Sequence, residues 1–185
     1  ILVDMNQVTI SNLMIQMKNE PLSVDLVRHL VLNSIRSYRT KFFNEFGELI
    51  LCYDDKHYWR RDLFPYYKSN RKKDRTESNL NWNELFETLN LIRDELKETF
   101  PYKVLQVDGA EADDIIATIV NLVSKTPNLF EKILIMSGDK DFIQLQTHEN
   151  VQQYSPTLKK FINGVDPNTY KICLLYTSPS PRDFG

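Results

Sequence analysis

Four short apolar runs, separated by long stretches of helical periodicity, constrain the fold of this chain more than any other feature. The runs cover residues 1–3, 49–53, 103–107 and 132–136. Helical periodicity covers residues 25–46, 82–100 and 111–125, and Ser23 and Asn81 stand where N-caps are expected. Unbroken apolar runs of this length are typical of strands buried on both faces. The alternation predicts an α/β fold with a mainly parallel sheet flanked by helices.

The remaining segments predict an added edge to the sheet, a single domain and one long functional insertion. Residues 151–154 and 159–162 have the pattern of a short hairpin or an added edge strand. With 185 residues the chain is long enough for one domain and too short for two ordinary ones. The segment 55–80 is longer than a usual crossover loop, which predicts a functional role for it.

Charge and cysteine content narrow the class of protein. The net charge of −2 gives no global attraction to nucleic acid, so such a partner requires a local basic patch. Cys52 and Cys173 form no closely spaced metal pattern, which indicates a reduced intracellular protein. No apolar run has the length of a membrane span, and no signal peptide opens the chain. We therefore expect a protein of the cytoplasm.

Acidic residues follow each of the predicted strands. In chain order they are Asp4, Asp54, Asp55, Asp108, Glu111, Asp113, Asp114, Asp139 and Asp141. Because parallel strands present their carboxyl ends at one edge of a sheet, we expect these side chains to collect on one rim. Crowded carboxylates repel one another unless cations neutralise them. An all-oxygen site without Cys or His ligands favours Mg²⁺ or Mn²⁺.

Each acidic group also has an ordinary structural interpretation. A single Asp after a strand is usually a turn residue or a helix cap, and the group at 111–114 could form the first turn of a helix. On an ideal helix Asp113 points away from Glu111 and Asp114, so we expect this group at the helix entry. Because caps have no reason to collect on one rim, convergence from separate strand ends favours the metal site.

A basic and aromatic segment lies between the second strand and the next helix. Its cations are Lys56, Arg60, Arg61, Lys68, Arg71, Lys72, Lys73 and Arg75. Its rings are His57, Tyr58, Trp59, Phe64, Tyr66 and Tyr67. A charge run is usually a solvated face, but rings among the cations can stack on bases while the cations track phosphates. The position directly after a rim carboxylate favours nucleic-acid contact.

These residues occur in the order of a known family. The segments that carry the likeness are 3–4, 53–55, 58–62, 66–71, 111–114 and 137–141. Together they resemble the flap endonuclease superfamily of 5′-nucleases, in particular its phage members, over about residues 1–170. The resemblance implies a PIN-like fold with 55–80 as a helical arch. It also implies a 5′ to 3′ exonuclease and flap endonuclease that removes RNA primers in DNA replication by a two-metal mechanism.

The resemblance also assigns residues to roles. It implies two Mg²⁺ or Mn²⁺ ions. The first is held by Asp4, Asp54, Glu111, Asp113 and Asp139, with Asp114 as a candidate further ligand, and Asp141 serves the second. Lys68 and Arg71 match the cationic pair that the family brings to the scissile phosphate, and Tyr67 matches a stacking residue. The remaining nucleic-acid contacts that we assign are Arg60, Arg61, Lys72, Lys73 and Arg75.

The sequence departs from the family after Tyr170. Family members continue into a helix-three-turn-helix element that grips duplex DNA and supplies ligands to the second metal, and nothing here matches it. We therefore expect a C-terminally truncated protein that binds one ion well and the second poorly. We interpret residues 171–185 as a tail outside the family, similar to translated sequencing-adapter sequence.

Two other functions fit parts of the pattern. A phosphatase of the haloacid dehalogenase class also places aspartates at strand ends, but it needs a second Asp two positions after the first, where Asn6 stands. A nucleic-acid-binding module without catalysis would need only the basic segment. As partners the resemblance implies DNA and RNA–DNA hybrids, with a single-strand binding protein or a sliding clamp. It further implies a monomer, no membrane and the cytoplasm of an infected host.

Overall fold

The structure is a computed structural model in which residues 1–16, 23–68, 81–126, 131–163 and 166–168 are described. Its centre is a sheet of order β3-β2-β1-β4-β5-β6. The strands are β1 (Leu2–Asp4), β2 (Ile50–Cys52), β3 (Lys103–Leu105), β4 (Ile133–Met136), β5 (Val151–Ser155) and β6 (Lys160–Phe161). Strands β1 to β5 pair in parallel, and β6 pairs antiparallel with β5.

Helices cover both faces of the sheet. They are α1 (Met5–Gln16), α2 (Val24–Phe46), α3 (Trp59–Leu63), α4 (Trp82–Thr99), α5 (Ala112–Lys125) and a 3-10 helix (Lys140–Thr147). Successive strand residues point to opposite faces, so β1 sends Val3 to one side and Leu2 to the other. Val3 joins the core formed with α1, α2 and α4, whereas Leu2 joins the core formed with α5 and the 3-10 helix. Burial on both faces explains why these strands read as continuous apolar runs.

The sequence-based fold class is confirmed: the sheet is mostly parallel, with one antiparallel edge, and helices flank it. The expected hairpin is β5 and β6. Ser23 and Asn81 are the N-caps of α2 and α4, and only the Asn81 side chain makes a cap bond, from the Glu84 N–H. Two elements were not expected, namely α1 and the 3-10 helix. Both begin directly after a rim carboxylate, Asp4 and Asp139.

Part of the sequence-based interpretation lies outside the described residues. This holds for the second half of the arch segment, residues 69–80, and for residues 169–185, which include the assigned domain boundary. Within the described ranges, no helix has both the length and the hydrophobicity needed to cross a bilayer. Cys52 is a free, buried thiol on β2 whose pKa burial raises to about 12.

Candidate metal and nucleic-acid site

Asp4 lies at the carboxyl end of the central strand β1 and is 8% exposed. Its Oδ1 accepts a hydrogen bond from the Gln7 backbone N–H at 3.1 Å, and its Oδ2 accepts one from the Ser137 hydroxyl at 3.1 Å. Burial raises the pKa of Asp4 to about 7, and the neighbouring carboxylates of Asp54 and Asp139 push it in the same direction. This carboxylate therefore lies where negative charge is costly without a cation.

The loop after β4 brings two further aspartates to the rim. Asp139 caps the 3-10 helix, with its Oδ1 accepting the Asp141 backbone N–H at 3.0 Å. Its own N–H donates to the Ser137 hydroxyl at 3.1 Å, which links Asp139 to Asp4. Burial raises the pKa of Asp141, Asp139 adds to this, and Lys68 opposes it. Asp139 therefore interacts electrostatically with both Asp4 and Asp141.

The entry to α5 carries the densest acidic group. Glu111 is the N-cap, with extended backbone (φ −92°, ψ 162°), and forms a reciprocal capping box with Asp114. Carboxylate oxygens of Glu111, Asp113 and Asp114 all lie within 4.8 Å of one another. No other three acidic, histidine or cysteine side chains of the described chain come that close. The helix entry, with its extended cap residue, resolves the direction problem expected for Asp113.

Asp54 connects this group to the sheet. It follows β2, and its Oδ1 accepts the Ala112 backbone N–H at 2.8 Å, at the first turn of α5. It also faces Asp4, whose pKa it raises. Asp54 therefore lies between the Asp4 side of the rim and the Glu111 side, and it would be one of the residues that hold a cation there.

The first part of the basic segment lies over these carboxylates. Arg60 donates to both oxygens of Asp114 at 2.7 Å each and to Glu111 at 2.9 Å, and it lies 3.8 Å from Asp113. Lys68 donates to Glu111, and the Tyr67 hydroxyl donates to Glu111 Oε2 at 3.1 Å. Glu111 is 1% exposed. A buried carboxylate with several cationic and hydroxyl donors is well matched in charge and hydrogen bonding.

Asp55 has a different function from the other rim aspartates. Its Oδ2 accepts the Gly109 backbone N–H at 2.9 Å, and this bond is the main cause of its lowered pKa. Trp59 N–H donates to the Gly109 carbonyl at 2.9 Å, and Tyr58 forms a β-bridge with Gly109. These contacts fasten the start of α3 to the loop after β3. Asp108 in the same loop is exposed.

The residues fit a divalent cation. Asp4, Asp54, Asp113, Asp139 and Asp141 add negative charge that Arg60 and Lys68 do not balance, because these two cations pair with Glu111 and Asp114. The donors are all oxygens, which hard cations such as Mg²⁺ and Mn²⁺ prefer. Burial is the main cause of the raised pKa of Asp4, Asp54 and Asp139 raise it further, and a bound cation would favour its charged form.

The remaining sequence-assigned residues divide into two sets. Arg61 is exposed and stacks on the Tyr58 ring at 4.6 Å, away from the carboxylates. Arg71, Lys72, Lys73 and Arg75 lie outside the described residues. The structure therefore brings Lys68, Tyr67 and Arg60 to the acidic rim and leaves Arg61 beside it.

Sequence reasoning missed the residues that support the loop after β4. Gln153 on β5 is fully buried and donates to the Ser137 carbonyl at 3.0 Å and the Asp139 carbonyl at 2.6 Å. Gln7 on α1 accepts the Gly138 N–H at 3.2 Å. Strand alternation offered a signal for Gln153, because it shares a strand face with buried Val151. A buried polar residue at such a position needs partners, and here the partners are site backbone.

The chain is similar in sequence to known nucleases. Residues 14–171 match the family model described as 5′-3′ exonuclease, N-terminal resolvase-like domain. The chain is 41% identical over 166 residues to ribonuclease H of Enterobacteria phage T4, a match that covers 87% of the chain and 53% of that protein. It is 33% identical over 117 residues to a 5′-3′ exonuclease of Buchnera aphidicola, covering 63% of the chain and 37% of that protein.

Solved structures share the fold. A structure of the bacteriophage T5 5′-exonuclease with bound zinc matches with a TM-score of 0.64 at 22% identity, covering 87% of this chain and 56% of that one. A second T5 structure, a flap endonuclease in a pseudo-enzyme-product complex with DNA and metal ions, matches with a TM-score of 0.62 and the same coverage. The chain spans about half the length of the relatives that it matches most extensively.

Proposed function

Because the chain belongs to the 5′-3′ exonuclease family, through the N-terminal resolvase-like domain, we propose that it hydrolyses phosphodiester bonds near the 5′ ends of nucleic acid strands with divalent cations. The same family membership leaves the haloacid dehalogenase alternative without support. The proposed ions are Mg²⁺ or Mn²⁺. We propose Asp4, Asp54, Glu111, Asp113 and Asp139 as ligands of the first ion, and Asp141 as a residue that serves a second one.

One observation carries the proposal. Carboxylates that follow different strands collect on one rim, and the cations nearest to them come from the segment that sequence reasoning assigned to nucleic acid. Asp4 and Asp139 are joined through Ser137, Asp54 reaches α5, and Lys68 reaches Glu111. Aspartates that served only as helix caps would have no reason to lie together at one edge of the sheet. A divalent cation in a site of this kind supplies Lewis-acid catalysis of phosphodiester hydrolysis.

The chain's own residues would bind and orient the strand. Lys68 has the left-handed backbone conformation (φ 56°), which is strained for a residue with a side chain. Its amine lies at the acidic rim beside Glu111, within electrostatic reach of Asp113 and Asp141. In that position it can donate to a phosphate oxygen on which negative charge develops during hydrolysis. Tyr67 lies beside it and offers a ring on which a base can stack.

The substrate range of the whole protein is also a proposal, since the chain spans about half of its relatives. We propose 5′ flaps, nicked or primed duplexes and RNA–DNA hybrids, as in RNA primer removal during DNA replication. Arg71 is proposed as the second catalytic cation. Arg60, Arg61, Lys72, Lys73 and Arg75 are proposed as nucleic-acid contacts, and a single-strand binding protein or sliding clamp as partners. We propose a monomer that acts in the cytoplasm of an infected host.

The test is cleavage of 5′-labelled flap and RNA-primed duplexes with Mg²⁺ and with chelator. We expect short 5′ products that depend on the metal and disappear in Asp139→Asn, while the variant still binds the labelled strand. The matched control is Asp108→Asn, which makes the same charge change at an exposed residue after β3. Cleavage by Asp139→Asn at the parent rate would refute the metal role. Binding without cleavage by the full-length protein would favour the non-catalytic module.

A further inference from the structure

Asp114 differs from Asp113, its neighbour at the entry of α5, because cationic, indole and backbone donors engage both of its carboxylate oxygens. Oδ1 accepts from Arg60 at 2.7 Å. Oδ2 accepts from Arg60 at 2.7 Å, from the indole N–H of Trp59 at 3.2 Å and from the Glu111 backbone N–H at 3.1 Å. Burial raises the pKa of Asp114, but the hydrogen bonds and charge of Arg60, together with the Glu111 N–H and Trp59, leave it below its ordinary value.

Asp113 provides the contrast within the same turn. Its Oδ1 accepts the Asp114 backbone N–H at 2.8 Å, and its nearest cation is Arg60 at 3.8 Å, beyond hydrogen-bond distance. Its side chain is 41% exposed, against 24% for Asp114. Asp113 thus has the capacity to bind a cation, whereas Asp114 would have to give up hydrogen bonds to Arg60 or Trp59.

The groups that bind Asp114 belong to the start of α3. The Arg60 guanidinium stacks on the Trp59 ring at 4.7 Å and lies 6.0 Å from the Tyr67 ring. Asp114 therefore holds both the first residue of α3 and the cation that follows it. Arg60 also bonds to Glu111, the residue that receives Lys68 and Tyr67. A bidentate arginine pair with an added indole donor fixes direction as well as distance.

We infer that Asp114 is a positioning residue: it fixes the start of α3 through Arg60 and Trp59 and does not bind the catalytic cation. This inference differs from the assignment of Asp114 from the sequence as a candidate further metal ligand. The catalytic consequence rests on the proposed function, because it is Lys68 and Tyr67 that α3 and the following turn bring to Glu111. The structural part, that Asp114 orders Trp59, stands without any catalysis.

The first measurement is the fluorescence of Trp59. Trp82→Phe removes the other tryptophan, so that emission reports on Trp59 alone. In that background Asp114→Asn leaves the indole N–H with a weaker acceptor and frees Arg60 from the ring, and we expect a red-shifted and more readily quenched emission. Asp113→Asn is the matched control and leaves the emission unchanged. An unchanged emission in Asp114→Asn would overturn the inference.

The second measurement is Mn²⁺ affinity by titration calorimetry, with a charge-conserving double variant. Asp114→Asn alone removes the bidentate partner of Arg60, which then interacts more strongly with Glu111 and Asp113, so the affinity of the variant for Mn²⁺ falls. Adding Arg60→Gln removes that competitor, and a positioning role predicts recovery to within about threefold of the parent. A ligand role predicts that the double variant stays about tenfold weaker or more, as Asp113→Asn does, and this result would overturn the inference.

These outcomes separate the inference from the proposed function. If the parent binds Mn²⁺ but cleaves nothing, the proposed nuclease fails while the fluorescence and the double-variant titration still decide the role of Asp114. If the parent cleaves, Asp114→Asn is expected to lower kcat more than it raises KM, because Lys68 is misplaced rather than removed. An equal loss in both Asp114→Asn and the double variant, with unchanged Trp59 emission, would contradict the positioning role.

Discussion

Asp4 shows how one residue can fit both the ordinary and the functional interpretation of a strand-end aspartate. It accepts the Gln7 N–H, which is a helix-capping contact at the start of α1, and it faces Asp54 and Asp139 across the rim. Asp139 likewise caps the 3-10 helix. Capping satisfies backbone donors, but it does not neutralise carboxylates that lie close together. The capping hydrogen bonds therefore position these carboxylates and are compatible with their binding a cation.

We expect Asp4→Asn to change how stability depends on pH. The folded state raises the pKa of Asp4 from 3.8 to about 7, so the folded protein binds this proton more tightly than the unfolded chain does. The stability that this tighter proton binding gives the folded protein is fully present below pH 3.8 and is lost as the pH rises through about 7. The stability of the variant relative to the parent should grow across this window, to at most about 4 kcal/mol, and then level off.

Chemical denaturation of metal-free parent and variant at a series of pH values checks this. The informative quantity is how the difference in unfolding free energy between variant and parent changes with pH. A lost hydrogen bond to Ser137 would change that difference by the same amount at every pH. A difference that stays constant between pH 3.8 and about 7 would contradict the raised pKa.

Lys68 is expected to act on turnover. Lys68→Gln removes the charge that pairs with Glu111 in the metal-free protein and that we propose for the phosphate. We expect kcat on a flap substrate to fall by about a hundredfold with little change in KM, because the charge acts where negative charge develops. Lys56→Gln, an exposed cation of the same segment, is the control. A loss confined to KM would make Lys68 a phosphate anchor only.

At the scale of elements, the sequence predicted what periodicity encodes. The buried strands and α2, α4 and α5 were expected because their apolar patterns are long or unbroken. Helix α1 was not, since Asn6, Gln7 and Asn12 interrupt its apolar residues and it begins directly after β1 without a loop. The 3-10 helix was missed for a similar reason, because it follows Asp139 in what looked like a turn.

The site was predictable as a set of strand ends but not as a set of contacts. Parallel topology is sufficient to place Asp4, Asp54 and Asp139 on one rim. It does not reveal that Asp114 faces Arg60, that Asp55 binds Gly109, or that Gln153 supports the 137–139 loop. These contacts depend on side-chain directions set by tertiary packing.

Gly109 is the element-scale test, because it fastens α3 to the loop after β3. Its φ of 76° favours glycine, and its N–H and carbonyl bind Asp55 and Trp59. We expect Gly109→Ala to cost about 1 kcal/mol in stability from backbone strain and to alter Trp59 emission. Gly47→Ala (φ 73°), at the end of α2, should also lose stability but leave the emission unchanged. Equal effects of both variants on Trp59 would contradict this role.

At the scale of the whole molecule, the net charge is only −2, but the charges are distributed unevenly, with acidic side chains concentrated at the rim. Carboxylates at the ends of β1, β2 and β4 and at the entry of α5 lie at the edge formed by the carboxyl ends of the strands. Among the described residues, the cations that pair with them, Arg60 and Lys68, belong to one short segment. Such an arrangement gains stability when a cation binds the folded state and not the unfolded one. Metal binding should therefore be measurable without substrate.

The most direct test of the central claim is titration calorimetry of the metal-free chain with Mn²⁺ at neutral pH. We expect saturable binding by the parent. Asp4→Asn, Glu111→Gln and Asp139→Asn change residues from three separate parts of the fold, and each should weaken binding about tenfold or more. Asp108→Asn, an exposed control, should bind like the parent. Absence of saturable binding, or equal affinities in all of these variants, would contradict a shared cation at this rim.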